Sequence, residues 1–120
     1  MKKIVALLVM IPFFAKAAEL ASINAGEVSR AELNDHKSVA TKYEGVELVV
    51  TGVLQKHDKY DDGYPMEIVG SDSLAYFSIL TFVPEDKTRA EKVKIGSKIR
   101  ARCVGDFQNG AAFKQCRLLP

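Results

Sequence analysis

Apolar and polar positions alternate along much of the chain after residue 45. The alternation begins at Glu47 and Leu48 and continues through 46–56, which is typical of a half-buried β-strand. Two further strand-like runs, 64–69 and 75–82, each follow a cluster of Asp, Gly or Ser residues that favours a turn. The pattern therefore predicts a meander of three strands.

Two segments carry helix signals instead. In 27–43, Ser29 is followed three residues later by Glu32, which is the spacing of a capping box, and the apolar residues recur at partly helical spacing. Pro84 and Gly96 bracket a shorter segment with acidic residues at its start and lysines near its end, as the helix dipole favours. We expect one helix before the strands and a short helix after the third strand.

The last part of the chain predicts a hairpin. Two strand-like runs, 99–107 and 111–119, flank the Asn-Gly dipeptide at 109–110, which favours a two-residue type I′ turn. With that turn, Cys103 lies directly opposite Cys116 in a non-hydrogen-bonded pair, where Cα atoms are about 4.5 Å apart. That distance suits a disulfide bond, so we predict that the two cysteines are bridged.

Five strands with a helix between the third and the fourth have the element order of an OB-fold, a small Greek-key barrel. We therefore predict a mainly β fold, with a five-stranded OB-fold barrel over about 46–119 after the N-terminal helix. About a hundred residues form a single domain with a modest core, which one disulfide would help to stabilise.

The sequence of 36–53 resembles the start of the bacterial OB-fold domains known as tRNA-anticodon-binding-like, in which a helix ending in a Tyr-x-Gly step leads into a valine-rich strand. Residues 93–96, the basic strand after them and the Cys-Arg-Leu-Leu of 116–119 resemble the end of that family. The resemblance implies the OB-fold, and the family's name records a fold likeness rather than a tRNA partner. The chain departs from the family in having Ser78 where such domains often have a cysteine, with its first cysteine at Cys103 instead.

The first residues have the pattern of an export signal. Two lysines precede an apolar run at 4–14, and small residues at the cleavage positions place the cut after Ala17. The run is shorter than the span of about 20 apolar residues that crosses a bilayer, so an uncleaved anchor is the disfavoured alternative. We expect a signal peptide, 1–17, and one periplasmic domain, 18–120, with no stable membrane insertion after cleavage.

The charge of the chain gives no support to a nucleic-acid partner. The whole chain has 17 basic and 15 acidic residues, a net charge of +2, but three lysines leave with the signal peptide and the remaining balance is −1. The charges are unevenly distributed, because 18–86 is mainly acidic and 87–120 is mainly basic.

The sequence contains no catalytic or cofactor signature. It lacks a nucleophile elbow, a phosphate loop, a zinc-protease motif and a dinucleotide fingerprint. His36 and His57 stand apart from other metal ligands on their own elements, and the acidic loop after His57 lacks the ligand order of a calcium loop. With both cysteines bridged, we expect no catalytic residue, no metal, no cofactor and no enzyme activity.

OB-folds bind ligands on the face of their second and third strands and in the adjoining loops, where aromatic side chains can stack on bases. The aromatic candidates in this region are Tyr60, Tyr64 and Tyr76, accompanied by Met66 and Phe82. About half of such residues are expected to point into the barrel, and the acidic loop 58–62 repels phosphate. We therefore disfavour nucleic acid as the partner.

The predicted hairpin carries Arg100, Arg102 and Arg117 on one face, with Arg102 directly opposite Arg117. Opposed like charges are unfavourable, so an acidic group should lie nearby. This group is either Glu47 of the first strand or an acidic protein or anionic polymer that binds there. The leading prediction is therefore a non-enzymatic binding module of the cell envelope that recognises a protein or glycan. The alternatives are a single-stranded nucleic-acid-binding OB domain and a structural subunit of an envelope assembly.

Overall fold

The computed structural model describes residues 20–60, 65–71 and 76–120. The predicted signal peptide and Tyr64 lie outside these residues. Within them the chain forms six strands, three α-helices and one 3-10 turn. In chain order the elements are β1 Ser22–Asn24, α1 Ala25–Asn34, α2 His36–Tyr43, β2 Glu47–Lys59, β3 Pro65–Gly70, β4 Phe77–Phe82, the 3-10 turn Pro84–Asp86, α3 Lys87–Glu91, β5 Lys98–Gly105 and β6 Ala112–Leu118.

The barrel closes on β2. The first half of this strand pairs with β5, and its second half pairs with β3. From there β3 runs antiparallel to β4, β4 runs parallel to β6, and β6 returns antiparallel to β5. The five strands form a closed barrel with the connectivity of an OB-fold, and α3 lies between its third and fourth strands, so the predicted fold is confirmed.

Side chains from the strands and from the β5–β6 loop fill the barrel. Leu48, Leu80 and Phe82 are almost completely buried, and the ring of Phe107 meets that of Phe113 edge to face with centroids 5.3 Å apart. Burying each such side chain stabilises the fold by roughly 1.5–3 kcal/mol. Phe82, which was grouped with the candidate ligand-face residues, is therefore part of the core.

The N-terminal helical region differs from the single helix predicted over 27–43. Two helices, α1 and α2, are separated at Asp35, whose φ is −153° and whose ψ is 78°. The side chain of Asn24 caps α1, and that of Asp35 caps α2 by accepting a hydrogen bond from the Ser38 amide at 3.1 Å. Ser29, the predicted cap, lies buried inside α1. Short polar side chains bind free amides at helix starts, so two of them in this stretch produce two helices.

The short strand β1 was not predicted. Residues 22–24 pair in parallel with 49–51 of β2, and the hydroxyl of Thr51 donates to the Ile23 carbonyl at 3.3 Å. The first half of β2 therefore lies between β1 and β5 and pairs with both of them.

The loop between β5 and β6 is longer than the predicted two-residue turn. β5 ends at Gly105 and β6 begins at Ala112, and the amide of Asp106 donates to the Ala112 carbonyl at 3.0 Å. A type I′ turn needs positive φ at both central residues, whereas Gly110 has a φ of 119° and Asn109 has no positive φ. The prediction of a type I′ turn was therefore wrong.

A β-bulge at Gln115 restores the predicted register. On the loop side of the bulge Gly105 lies opposite Phe113, one residue away from the predicted pairing, but on the far side Arg102 lies opposite Arg117 as predicted. Gln115 has a φ of 53°, the only positive φ among the described residues other than glycine. The extra residue in β6 compensates for the longer loop.

The predicted disulfide is confirmed. Cys103 and Cys116 are bridged, their Cα atoms lie 4.2 Å apart, and both residues are buried. The bridge lies at the bulge, so it joins β5 to β6 at the point where the register changes.

Candidate ligand-binding groove on the outer face of β5 and β6

The outer face of β5 is basic along most of its length. Burial alternates from residue to residue, so Ile99, Ala101 and Cys103 point into the core and the residues between them point outwards. On β6, the long cations are exposed as well. Together these side chains form the basic face, which consists of Lys98, Arg100, Arg102, Lys114 and Arg117.

Arg102 has an acidic partner on β2. Its Nη2 donates to Oε1 of Glu47 at 2.5 Å, and each of the two side chains is about half exposed. For Arg102, the neutralisation by Glu47 that the sequence left open is therefore present in the fold.

Arg117 is different, because no ion pair or side-chain hydrogen bond engages it within the described part of the chain. It is exposed and lies directly opposite Arg102. Both arginines line a groove of about 680 Å³, which we call the outer groove. The other residues of its lining are Glu47, Val83, Pro84, Glu85, Cys103, Val104 and Gln115.

The 3-10 turn after β4 forms the far wall of the outer groove. The amide of Val83 donates to the Cys116 carbonyl at 3.0 Å, and the amide of Leu118 donates to Oδ2 of Asp86 at 2.7 Å. These two bonds hold the turn against β6 on both sides of the unpaired arginine. Glu85, exposed and in the same groove, therefore lies at the level of that arginine.

The outer groove thus crosses four neighbouring chain segments, each of which contributes one charge. Glu47 comes from β2, Arg102 from β5, Arg117 from β6 and Glu85 from the 3-10 turn. Across these segments the two guanidiniums lie between the two carboxylates, and Glu47 is displaced along β2 by two residues from the position opposite Arg102. Guanidinium groups bind carboxylate or phosphate oxygens through paired hydrogen bonds, so an anionic group between the arginines would relieve their mutual repulsion.

Arg100, the third predicted arginine, lies on the basic face but outside the lining of the outer groove. Its Nη1 donates to the Pro120 carbonyl at 3.3 Å. The structure therefore brings two of the three predicted arginines together and places the third beside them.

Tyr60 and Tyr76, the two predicted tyrosines within the described ranges, do not form one site. Tyr60 is 42% exposed, and its hydroxyl lies 3.4 Å from that of Thr81, at one end of the β3–β4 pair. Tyr76 is half-buried and lies just before β4, at the other end of the same pair. Phe77, which is 44% exposed on the outer face of β4, was missed, although its position next to Tyr76 in an alternating strand marks it as the outward residue.

Two opposite charges that precede Tyr60 on the outer face of β2 offset each other. The pairing of β2 with β3 shifts at a β-bulge between Leu54 and Lys56. After this bulge Lys56 and Asp58 lie on the same side of β2 and form an ion pair, with Nζ and Oδ2 3.5 Å apart. Their charges cancel, and Asp58 has a lowered pKa because its carboxylate accepts the Lys59 amide and lies near Lys56. This face therefore offers apolar and aromatic contacts rather than an attraction for phosphate.

A pair formed by the partly exposed His57 and the buried Glu67 was also missed from the sequence. Nδ1 of His57 lies 2.5 Å from Oε2 of Glu67, and Nε2 donates to the Val93 carbonyl at 2.8 Å. Glu67 is completely buried, and its Oε1 has no hydrogen-bond partner. Burial raises the pKa of Glu67 above its ordinary value, and the interaction with His57 opposes part of that rise. Both ring nitrogens of His57 are engaged, so this pair joins β2, β3 and the segment after α3 rather than serving a ligand.

His36, the other histidine, is the first residue of α2 and pairs with Glu32 near the end of α1, and its side chain is half exposed. Among the residues in the described ranges, no group of three or more His, Cys, Asp or Glu side chains could hold a metal ion. In the same ranges no helix has both the length and the apolar character needed to cross a membrane.

No protein-family model and no curated protein matches the chain. The resemblance to the tRNA-anticodon-binding-like domains therefore remains an interpretation of the sequence, whereas the OB-type fold itself is established by the barrel.

Two solved structures are similar to this fold. One is a candidate nucleic acid-binding lipoprotein from Klebsiella pneumoniae, which aligns with a TM-score of 0.65 at 11% identity over 88% of this chain and 96% of its own. The other is the S. pombe Stn1-Ten1 complex, with a TM-score of 0.48 at 16% identity over 61% of this chain and 57% of its own. The first similarity supports the fold over nearly the whole of both chains.

Proposed function

We propose that the protein is an exported, non-enzymatic binding module whose partner is a protein or anionic polymer of the cell envelope. The observation that carries this proposal is Arg117, an exposed guanidinium that lies opposite Arg102 in the outer groove and has no acidic partner among the described residues. Opposed like charges on neighbouring strands destabilise a sheet unless a counter-charge is present. A ligand anion would supply it.

Export is supported by two features of the chain. The first 17 residues have the pattern of a signal peptide, and the Cys103–Cys116 bridge suits an oxidising compartment. The similar Klebsiella protein is a lipoprotein, which agrees with a role in the envelope. Mass spectrometry of the protein recovered from a bacterial periplasm should give an N-terminus at Ala18, whereas a full-length chain in the membrane fraction would contradict export.

Binding is tested with defined anionic probes. Heparin oligosaccharides and polyglutamate should bind the immobilised protein, with an affinity that falls as salt is raised because the charges involved are exposed. Arg117→Gln should weaken binding about three-fold, which corresponds to the loss of one exposed charge pair. Arg30→Gln is the matched control, since Arg30 is an exposed arginine on α1. Equal effects of the two substitutions would contradict a site at the outer groove.

A second candidate is single-stranded nucleic acid. The OB-fold, the exposed rings of Tyr60 and Phe77, and the nucleic acid-binding role ascribed to the Klebsiella protein favour it. This function predicts retention of a thymidine oligonucleotide at physiological salt, lost in Tyr60→Ala and Phe77→Ala but kept in Arg117→Gln. The envelope proposal predicts instead that binding of the anionic probes is weakened in Arg117→Gln and kept in Tyr60→Ala and Phe77→Ala.

A structural subunit of an envelope assembly would instead co-fractionate with a large complex and have no affinity for the probes as a free monomer.

A further inference from the structure

The order of the four charges in the outer groove points to a class of ligand. Resting on the proposed function, we infer that the groove binds an extended polypeptide segment of a partner protein, with one acidic residue over Arg102 and Arg117 and a basic residue at each end, over Glu47 and Glu85. The two inner groups are cations and the two outer groups are anions, so the complementary ligand has a negative centre and positive flanks.

Arg102 and Arg117 favour an acidic residue at the centre of the ligand. Arg102 and Arg117 lie directly opposite each other, and Glu47 is bonded to Arg102 alone. One carboxylate placed between the two guanidiniums can accept hydrogen bonds from both. It would relieve the repulsion between them, and Arg117 would gain the partner that the fold does not give it.

Glu47 and Glu85 favour basic residues at the two ends of the ligand and disfavour dense polyanions. A nucleic acid or a sulfated glycan carries anions at every repeat, and a chain of them across the groove would set further anions beside Glu47 and Glu85. A polypeptide is the common envelope polymer that carries both signs on one chain. The observations therefore favour a peptide over the other anionic polymers.

The spacing of the row fits an extended peptide that crosses the strands. Neighbouring strands lie about 4.8 Å apart, so the outer two of four adjacent segments are separated by about 14 Å across the strands. Glu47 is in addition displaced along β2, because Val49, two residues further on, is the residue opposite Arg102. In an extended peptide, side chains four residues apart lie on the same face about 13 Å from each other, and the residue midway points the same way. A Lys-x-Glu-x-Lys segment thus has its charges in the required order, and the long flexible lysine side chain can reach the displaced Glu47.

The test compares two peptides that contain the same three kinds of residue with the charges exchanged. A capped lysine–serine–glutamate–serine–lysine peptide carrying a fluorophore should bind, whereas the charge-reversed glutamate–serine–lysine–serine–glutamate peptide should not. Glu85→Gln should weaken binding of the first peptide about three-fold. The same substitution should strengthen binding of a heparin oligosaccharide, because it removes a repulsive carboxylate. Glu27→Gln, an exposed glutamate on α1, is the control and should change neither.

The outcomes separate this inference from the function on which it rests. Tighter binding of heparin, thymidine oligonucleotide or hyaluronan than of the lysine-flanked peptide, with loss in Arg117→Gln, would overturn the peptide inference and leave an anion-binding surface in place. Equal binding of the two peptides would overturn the charge order. Absence of binding by every probe, in protein shown to be folded by its circular dichroism spectrum, would overturn both.

Discussion

Nδ1 of His57 lies 2.5 Å from Oε2 of the buried Glu67, while Nε2 of the same ring donates to the Val93 carbonyl. Because Nε2 must carry a hydrogen to donate, Nδ1 is the nitrogen that shares a proton with the carboxyl group. The second oxygen of Glu67 has no partner, so full ionisation of this side chain is penalised by burial.

The pair makes stability depend on pH. The pKa of Glu67 is raised above 4.5 mainly by burial, so the folded state holds this proton more tightly than the unfolded chain does. The resulting contribution to the free energy of unfolding is complete below pH 4.5 and is lost as the pH rises through the folded pKa. Urea denaturation at a series of pH values should therefore show that the free energy of unfolding falls as the pH rises above 4.5. Glu67→Gln should remove this fall.

Removing the charge of Glu91 tests the same pH dependence with a smaller expected effect. Its negative charge contributes to the raised pKa of Glu67, so Glu91→Gln should make the fall with pH shallower without abolishing it. Glu27→Gln should keep the parent profile. An unchanged slope in Glu67→Gln would show that another group titrates.

The disulfide is expected to stabilise the fold without taking part in binding. Replacing Cys103 and Cys116 by serine opens a loop of 13 positions, and the free energy of unfolding should fall by about 3 kcal/mol. Affinity per folded molecule should stay the same, since both cysteines are almost completely buried and present almost no surface to a ligand, although Cys103 lines the groove. A double variant with the parent's denaturation midpoint but no binding would instead indicate a redox role.

The positive φ of Gln115 predicts an unusual response to glycine. An L-residue in the left-handed region costs about 1 kcal/mol, which glycine does not incur, so Gln115→Gly should stabilise the protein by about that amount. Lys114→Gly, at the preceding position of the same strand, has no positive φ to relieve and should destabilise it. Denaturant unfolding of both variants checks this, and a loss of similar size in each would argue against strain at the bulge.

Asp86 anchors the end of β6 to the 3-10 turn. Its carboxylate accepts the Leu118 amide at 2.7 Å and a bond from Nη1 of Arg89 at 3.1 Å, and the residue is buried. Asp86→Ala leaves a half-buried amide without a partner and should lower the free energy of unfolding by about 2 kcal/mol. The exposed neighbour Glu85 makes no such bond, so Glu85→Ala should have a negligible effect on the same thermal or chemical melt.

Much of the barrel could be predicted because its strands carry their burial pattern in the sequence. Leu48 and its neighbours alternate along β2, and the turn residues separate the strands of the meander. The break at Asp35 could not be predicted in the same way, since an aspartate in a helical pattern fits both a solvent-exposed helical position and a cap.

The two bulges explain why the His57–Glu67 pair and the facing of the β6 side chains were missed. In β6 the buried residues Phe113 and Cys116 are three positions apart, an odd spacing that a regular strand cannot place on one face. In β2 the bulge between Leu54 and Lys56 turns His57 inwards, where it meets Glu67. The odd spacing in β6 was a readable signal. A polar residue such as Glu67 between two apolar neighbours reads as outward-facing, so its burial becomes apparent only from the packing of the strands.

The bulge at Gln115 divides the hairpin into a stem and a tip. The stem is locked by the disulfide and carries the opposed arginines, whereas residues 106–111 form a tip whose register is already offset from it. Phe107 anchors the start of this tip in the core, whereas Gln108 and Asn109 are exposed, so an insertion at these two positions costs little entropy. Changes at Gln108 and Asn109 can thus alter the contacts at the rim of the barrel while Phe107 stays in the core and the arginine pair stays in place.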